Sequence, residues 1–147
     1  MLRDKLGVDI EQIDTAVPYP TEYRKASDQG KREVESGFKP QLKPLKFDPA
    51  DYDVIIVGTP TWWYSMAPAV HTYLTGHDFS GKTVIPFMTM GGWPGKTIEN
   101  MKRDSAGAEH KLEKEILFDS EGGPVLKTPE AELNEWIGEI AAFVEQG

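Results

Sequence analysis

Two short stretches hold the residues best suited to chemistry. Thr59-Pro60-Thr61-Trp62-Trp63-Tyr64 places three aromatic side chains in succession, and Thr89-Met90-Gly91-Gly92-Trp93 sets a glycine pair beside a fourth large ring. Indole and phenol faces stack on flat conjugated rings. Glycines let the main chain approach a ligand closely, and free N–H groups there can bond the polar edge of a heterocycle. The combination fits a grip on a planar heterocycle. The competing reading is structural, with the tryptophans capping a sheet edge or buried in an oligomer interface. Residues for acid–base, nucleophilic or metal chemistry are less well placed. His71 falls inside a helical pattern, and His77 and His110 have no second ligand at metal-binding spacing. Ser65 lacks a G-x-S-x-G context and an assignable base. Asp51 and Asp53 stand at the start of an apolar run, the end away from both aromatic stretches. No catalytic side chain and no metal site are therefore expected.

Both stretches follow runs that read as buried strands. Val54-Ile-Ile-Val57 is continuously apolar, as in a parallel strand covered on both faces, and Gly58 and Pro60 are expected to end it. Lys82 to Met88 is the next strand, with Pro86 predicting a bulge or a missing ladder hydrogen bond. If the two strands are neighbours, Thr59–Ser65 and Thr89–Gly95 emerge as loops on one sheet edge and face one crevice. Between them, Pro68 opens a helix with Val70, Tyr73 and Leu74 on one face and a stop at Gly76. A further helix follows Gly95 with Ile98 and Met101 inward. Leu112–Phe118 supplies a charged edge strand. The last helix is capped by Thr128, starts at Pro129, and carries Leu133, Trp136, Ile137, Ile140, Ala141 and Val144 on its apolar face.

The amino-terminal third is less regular. Leu2 and Leu6 lie on one face of a helix end that stops at Gly7, and Val8–Ile13 reads as a short strand. Ala16–Pro20 is loop, Thr21 caps a polar helix that closes at Gly37, and Lys39–Pro49 is an extended linker. Strands alternating with helices predict an α/β fold with a parallel sheet, in a single domain over residues 1–147.

The bulk properties narrow the partners. The 147 residues are 39% hydrophobic and 27% charged, with 16 Lys plus Arg against 24 Asp plus Glu and no cysteine. A net charge of −8 argues against nucleic acid or an anionic membrane and leaves room for a basic protein partner. No run approaches the ~18 apolar residues of a membrane span, so a cytoplasmic location is expected.

The segment Tyr52–Pro68 with its Pro-x-Trp-Trp sequence, the segment Asp78–Phe87 and the Gly91-Gly92 stretch together resemble the flavodoxin family, in particular bacterial flavodoxin-like proteins. The resemblance implies a three-layer α/β/α open parallel sheet and non-covalent FMN. It puts the isoalloxazine ring against Thr59, Pro60, Thr61, Trp62, Trp63 and Tyr64 on one side and Thr89, Met90, Gly91, Gly92 and Trp93 on the other. The flavin would then carry the electrons, passing them to a redox protein or a small electron acceptor.

The likeness also implies a departure at the amino terminus. Family members begin with an apolar strand and a hydroxyl- and glycine-rich phosphate loop, whereas this chain begins within the following helix. The expectation is an N-terminally truncated fold with its first strand missing, Met1 being an internal methionine of a longer chain. An alternative follows. Without the phosphate loop, the chain would be a cofactor-free or weakly FMN-binding module that self-associates, as a homodimer, through its open strand edges.

Overall fold

The β-branched run Val54–Val57 builds strand β1, and the computed structural model, which describes residues 2–119 and 125–146, carries that strand on to Trp62. The expected stop at Gly58 and Pro60 does not occur, for two reasons. The ring of Phe87 lies across Gly58, where an added Cβ would come within 2.1 Å of Phe87 Cζ, so glycine there serves packing between strands. Asp53 C=O accepts from Thr83 N–H at 3.0 Å, which turns the main chain of the odd-numbered residues of β1 toward the next strand. Pro60 faces the other way. Its missing N–H therefore removes nothing from the shared ladder.

Thr83–Met90 forms β3, parallel to β1 and in register from Val54 opposite Thr83 to Pro60 opposite Thr89. On its other side β3 pairs in parallel first with β4 (Glu109–His110) and then with β5 (Lys114–Leu117). The break between these two partners falls at Ile85–Pro86. Val84 and Met90 carbonyls accept from Lys111 and Phe118 on that side, so Pro86 also faces it and has no N–H to offer. The missing ladder bond predicted at Pro86 is present, and it divides one edge partner into two. The chain loops out between them with Leu112 at φ +53°.

Helices cover both faces. On one, α3 (Pro68–Thr75) and α4 (Thr97–Asp104) enclose a core of Val57, Val70, Leu74, Phe79, Val84 and Met101. On the other, α1 (Leu2–Leu6) and α5 (Glu130–Gln146) pack over Val54, Ile56 and Ile85 through Leu2, Leu6, Trp136, Ile137 and Ile140. The result is the expected α/β/α open sheet, parallel except for the two-residue strand β2 (Ser65–Met66), which lies antiparallel on β1. Val144 is exposed, so the α5 stripe ends a turn earlier than its periodicity implies. The Thr128 hydroxyl accepts from Leu117 N–H at 2.7 Å and so ties the start of α5 to β5. The helix α2 (Tyr23–Ser36) begins two residues after Thr21. Its cap position is Glu22, which makes no side-chain cap bond, and Gly37 ends it at φ +68° as expected.

Val8–Ile13 is not a strand. The segment has no ladder partner on β1; Glu11 accepts from Lys46 and Phe47 N–H, Asp9 accepts from Tyr52 Oη, and Thr15 bridges Leu42. Alternating apolar residues need a ladder partner within reach, and these carboxylate tethers hold the segment away from one. Met1 lies outside the described residues. Among the described residues no helix is long and apolar enough to cross a membrane, and no group of acidic or histidine side chains could hold a metal.

Candidate functional site

The two aromatic stretches meet at one sheet edge because the strands beneath them are hydrogen-bonded to one another. Pro60 lies opposite Thr89 in the ladder, so the stretch 59–64 and the stretch 89–93 leave the sheet side by side. They are less loop-like than the sequence implied. Thr59 to Trp62 belong to β1 and Thr89 and Met90 to β3, so both sides of the site are mounted on strand ends.

Trp63 and Tyr64 form a two-residue turn joining β1 to β2 (Ser65–Met66), which folds back antiparallel with Thr61 opposite Met66. Both have positive φ, +48° and +64°. Two successive left-handed residues match the twist of a tight hairpin, a place usually filled by Asn-Gly; with side chains this bulky each costs about 1–2 kcal/mol. Neighbours hold the turn in place. Trp63 Nε1 donates to Ser27 C=O at 3.0 Å, and Lys31 Nζ sits 5.2 Å from the Trp63 ring. Lys96 N–H donates to Tyr64 C=O at 3.0 Å, and Asn100 Nδ2 donates to Ser65 Oγ at 2.9 Å. Gly95, at φ +55°, lies so close that a Cβ on it would come within 2.4 Å of the Tyr64 carbonyl. The second stretch is thus clamped onto the first.

The predicted residues divide by role. Trp62 is partly buried; its ring meets Tyr19 edge-on at 5.0 Å and covers Gly30 of α2. Thr59 is 3% exposed and its hydroxyl accepts from Ala67 N–H, so that side chain fixes the start of α3. Trp63, Tyr64 and Trp93 stand exposed at the rim. Gly92, at φ +121° with open space around its Cα, adopts a backbone that only glycine tolerates. Neither the N–H of Gly91, Gly92 nor that of Trp93 bonds another described residue. These are the features a planar ring with polar edges requires.

Several supporting residues escaped the sequence reading: Tyr19, Ser27, Gly30, Gly95 and Lys96. Gly30 did carry a signal. A glycine inside a helix costs about 1 kcal/mol against alanine, and here it makes room for Trp62.

The eleven predicted residues include no Lys or Arg. Their chemistry is aromatic, hydroxyl and main-chain N–H. A cavity of about 930 Å³ meets the site at Pro60 and Trp62 and otherwise runs along β1 and the segment 7–15.

The flavodoxin family profile matches residues 2–140. Solved structures share the fold. A protein classed as a flavoprotein from Bacteroides eggerthii is 27% identical, with a TM-score of 0.73 over 95% of this chain and 86% of its own. One from Bacteroides uniformis is 22% identical, with a TM-score of 0.73 over 93% and 85%. A flavoprotein from Lactobacillus acidophilus, crystallised in complex with FMN, is 18% identical, with a TM-score of 0.59 over 84% and 76%. No curated protein matches the chain. With 139 of its residues matched, and with the sheet and helical layers in place, the chain belongs to the flavodoxin family.

Proposed function

We propose that this chain is a single-domain FMN-dependent redox protein whose flavin ring is held between residues 59–64 and 89–93. The observation that carries the reading is the pairing of Pro60 with Thr89, which fixes exposed aromatics and unbonded glycine-loop N–H groups on one edge. Family membership supports it, as does the FMN bound to the Lactobacillus relative. When bound, FMN supplies the electron or hydride chemistry. The chain supplies the grip. Tyr64 and Trp93 offer ring faces, Gly91 and Gly92 offer N–H donors, and the clamp from Gly95 and Lys96 keeps the two sides at fixed separation. No side chain is assigned an acid, base or nucleophilic role. The −8 charge suits a basic redox partner or a small neutral acceptor in the cytoplasm.

Titrating the full chain with FMN while following flavin and tryptophan fluorescence tests this. Saturable quenching that Tyr64→Ala and Trp93→Ala each weaken about fivefold is expected, from a stacking contribution of about 1 kcal/mol per ring. An absence of saturable binding would sink the cofactor, and unchanged affinity in both variants would sink the site. NAD(P)H oxidation with a quinone acceptor separates a reductase from an electron carrier.

A second reading rests on the absence of Lys and Arg from the eleven ring-site residues themselves, Lys31 and Lys96 standing beside Trp63 and Tyr64. The chain alone would then bind flavin weakly, as a module without activity. FMN binding no tighter than riboflavin, at submillimolar strength, would favour it.

A further inference from the structure

A second cavity, of about 700 Å³, lies between the end of α2, the Trp63-Tyr64 turn and helices α3 and α4. Of the eleven ring-site residues it touches only Trp63 and Tyr64. Asp104, the last residue of α4, does not line it but holds two residues that do. The Asp104 side chain is 5% exposed, at a helix C-terminus where the dipole opposes a carboxylate. His71 Nδ1 donates to its Oδ2, and Arg103 Nε donates to its Oδ1 at 3.1 Å. Arg103 Nη1 also reaches Asn100 Oδ1 at 3.3 Å, and Asn100 Nδ2 in turn donates to Ser65 Oγ. One buried carboxylate thereby fixes an imidazole and a guanidinium side by side at the cavity. Each keeps one nitrogen in reserve, because among the described residues His71 Nε2 and Arg103 Nη2 bond nothing.

We propose that this cavity binds a small aromatic hydroxy acid, with its carboxylate on Arg103 and Lys96 and its hydroxyl on His71. The two open nitrogens require opposite partners. With Nδ1–H committed to Asp104, the neutral imidazole presents Nε2 as an acceptor, which suits a hydroxyl O–H. Arg103 Nη2 is a charged donor and suits an oxyanion. Lys96, the cap residue of α4, brings a second cation to the lining. The acids of the lining, Glu33 and Glu35, both stand on α2, and the Glu33 carboxylate already accepts from Tyr19 Oη at 2.6 Å and Gln29 Nε2 at 2.8 Å. The anionic end of a ligand therefore belongs at α4. Two acids against two cations suit a monoanion better than a doubly charged phosphate. Phe38, Trp63 and Tyr64, all exposed, supply ring faces, which favours an aromatic body over an aliphatic one. The site needs no flavin.

The probes are 3- and 4-hydroxybenzoate, titrated calorimetrically into the full chain. Benzoate, which lacks the hydroxyl, and phenol, which lacks the carboxylate, accompany them. Saturable one-to-one binding at submillimolar strength is expected for at least one hydroxybenzoate. Benzoate and phenol should each bind about tenfold more weakly or worse, since each leaves one open nitrogen without its partner. Arg103→Gln, at a side chain 64% exposed, should weaken the hydroxybenzoate about tenfold while thermal unfolding stays cooperative. His71→Ala should abolish the preference over benzoate and keep the preference over phenol, a change in selectivity that a general loss of structure would not produce. FMN should leave the hydroxybenzoate in place, so a failure of the ring site does not touch this result. The idea is overturned if neither hydroxybenzoate binds, if benzoate or phenol binds as tightly, or if His71→Ala retains the full preference for the hydroxyl. It is equally overturned if FMN or inorganic phosphate displaces the hydroxybenzoate competitively, since the cavity would then belong to a phosphate ligand.

Discussion

Replacing Gly95 with alanine tests whether the two sides of the ring site are locked together. Two costs combine. Alanine at φ +55° carries left-handed strain of about 1–2 kcal/mol. Its methyl would also come within 2.4 Å of Tyr64 O, 2.5 Å of Tyr64 Cβ and 2.7 Å of Tyr64 Cα. Two of these atoms are main chain in a turn held by Lys96 and by Ser27 through Trp63, so relief requires moving the turn itself. Overpacking of that kind adds about 1–3 kcal/mol. The sum is about 2–5 kcal/mol, or a fall in Tm of roughly 5–15 °C for a domain of this size. Gly37→Ala is the matched control, because Gly37 has φ +68° and nothing within 4 Å of the added carbon. It should cost only the strain, about 1–2 kcal/mol. Chemical denaturation followed by circular dichroism gives both values. The reasoning is refuted if Gly95→Ala destabilises no more than Gly37→Ala, or if its flavin affinity matches the parent while the turn is displaced.

Further outcomes follow from single groups. Thr128→Val leaves Leu117 N–H without its 2.7 Å acceptor and should cost about 1–3 kcal/mol in urea denaturation, whereas Thr128→Ser should recover most of it. Ile140→Ala, on the buried face of α5 with no exposure, should cost about 2–5 kcal/mol in the same assay. His110 is held below its usual pKa by burial and then by the ammonium of Lys102. The unfolded chain therefore binds the proton more readily, so the neutral imidazole's contribution to stability is present above about pH 6.5 and is lost as pH falls below it. Denaturation midpoints at pH 7.5 and 5.5 should differ less in His110→Gln than in the parent.

What the sequence made legible was whatever burial on both faces dictates. Val54–Val57 and Lys82–Met88 read as neighbouring parallel strands, and the stripe from Leu133 on the last helix read as a sheet cover, because each run is apolar enough to need burial. From there the meeting of Pro60 and Thr89 followed. The hairpin was not legible. Its turn lacks Asn and Gly and uses Trp63 and Tyr64 in left-handed conformations that depend on α2 and on Gly95, contacts distant in sequence. Val8–Ile13 failed for a related reason. Its alternation is real, yet Asp9 and Glu11 have partners at Tyr52, Lys46 and Phe47 that pull it off the sheet. Residue type alone marked Trp63, Tyr64 and Trp93 as candidates, and they stand exposed at the rim, while the structural duty of Thr59 depended on Ala67 N–H.

Pro60 and Pro86 each sit in a strand with the ring nitrogen turned away from the β1–β3 ladder. Sliding either strand by one residue against the other would turn its proline into that ladder and forfeit a hydrogen bond, besides exchanging the two helical faces. The prolines thus act as a one-position lock on alignment during folding. The register that sets Pro60 opposite Thr89, on which any ring bound at this edge would depend, is therefore guarded by two prolines.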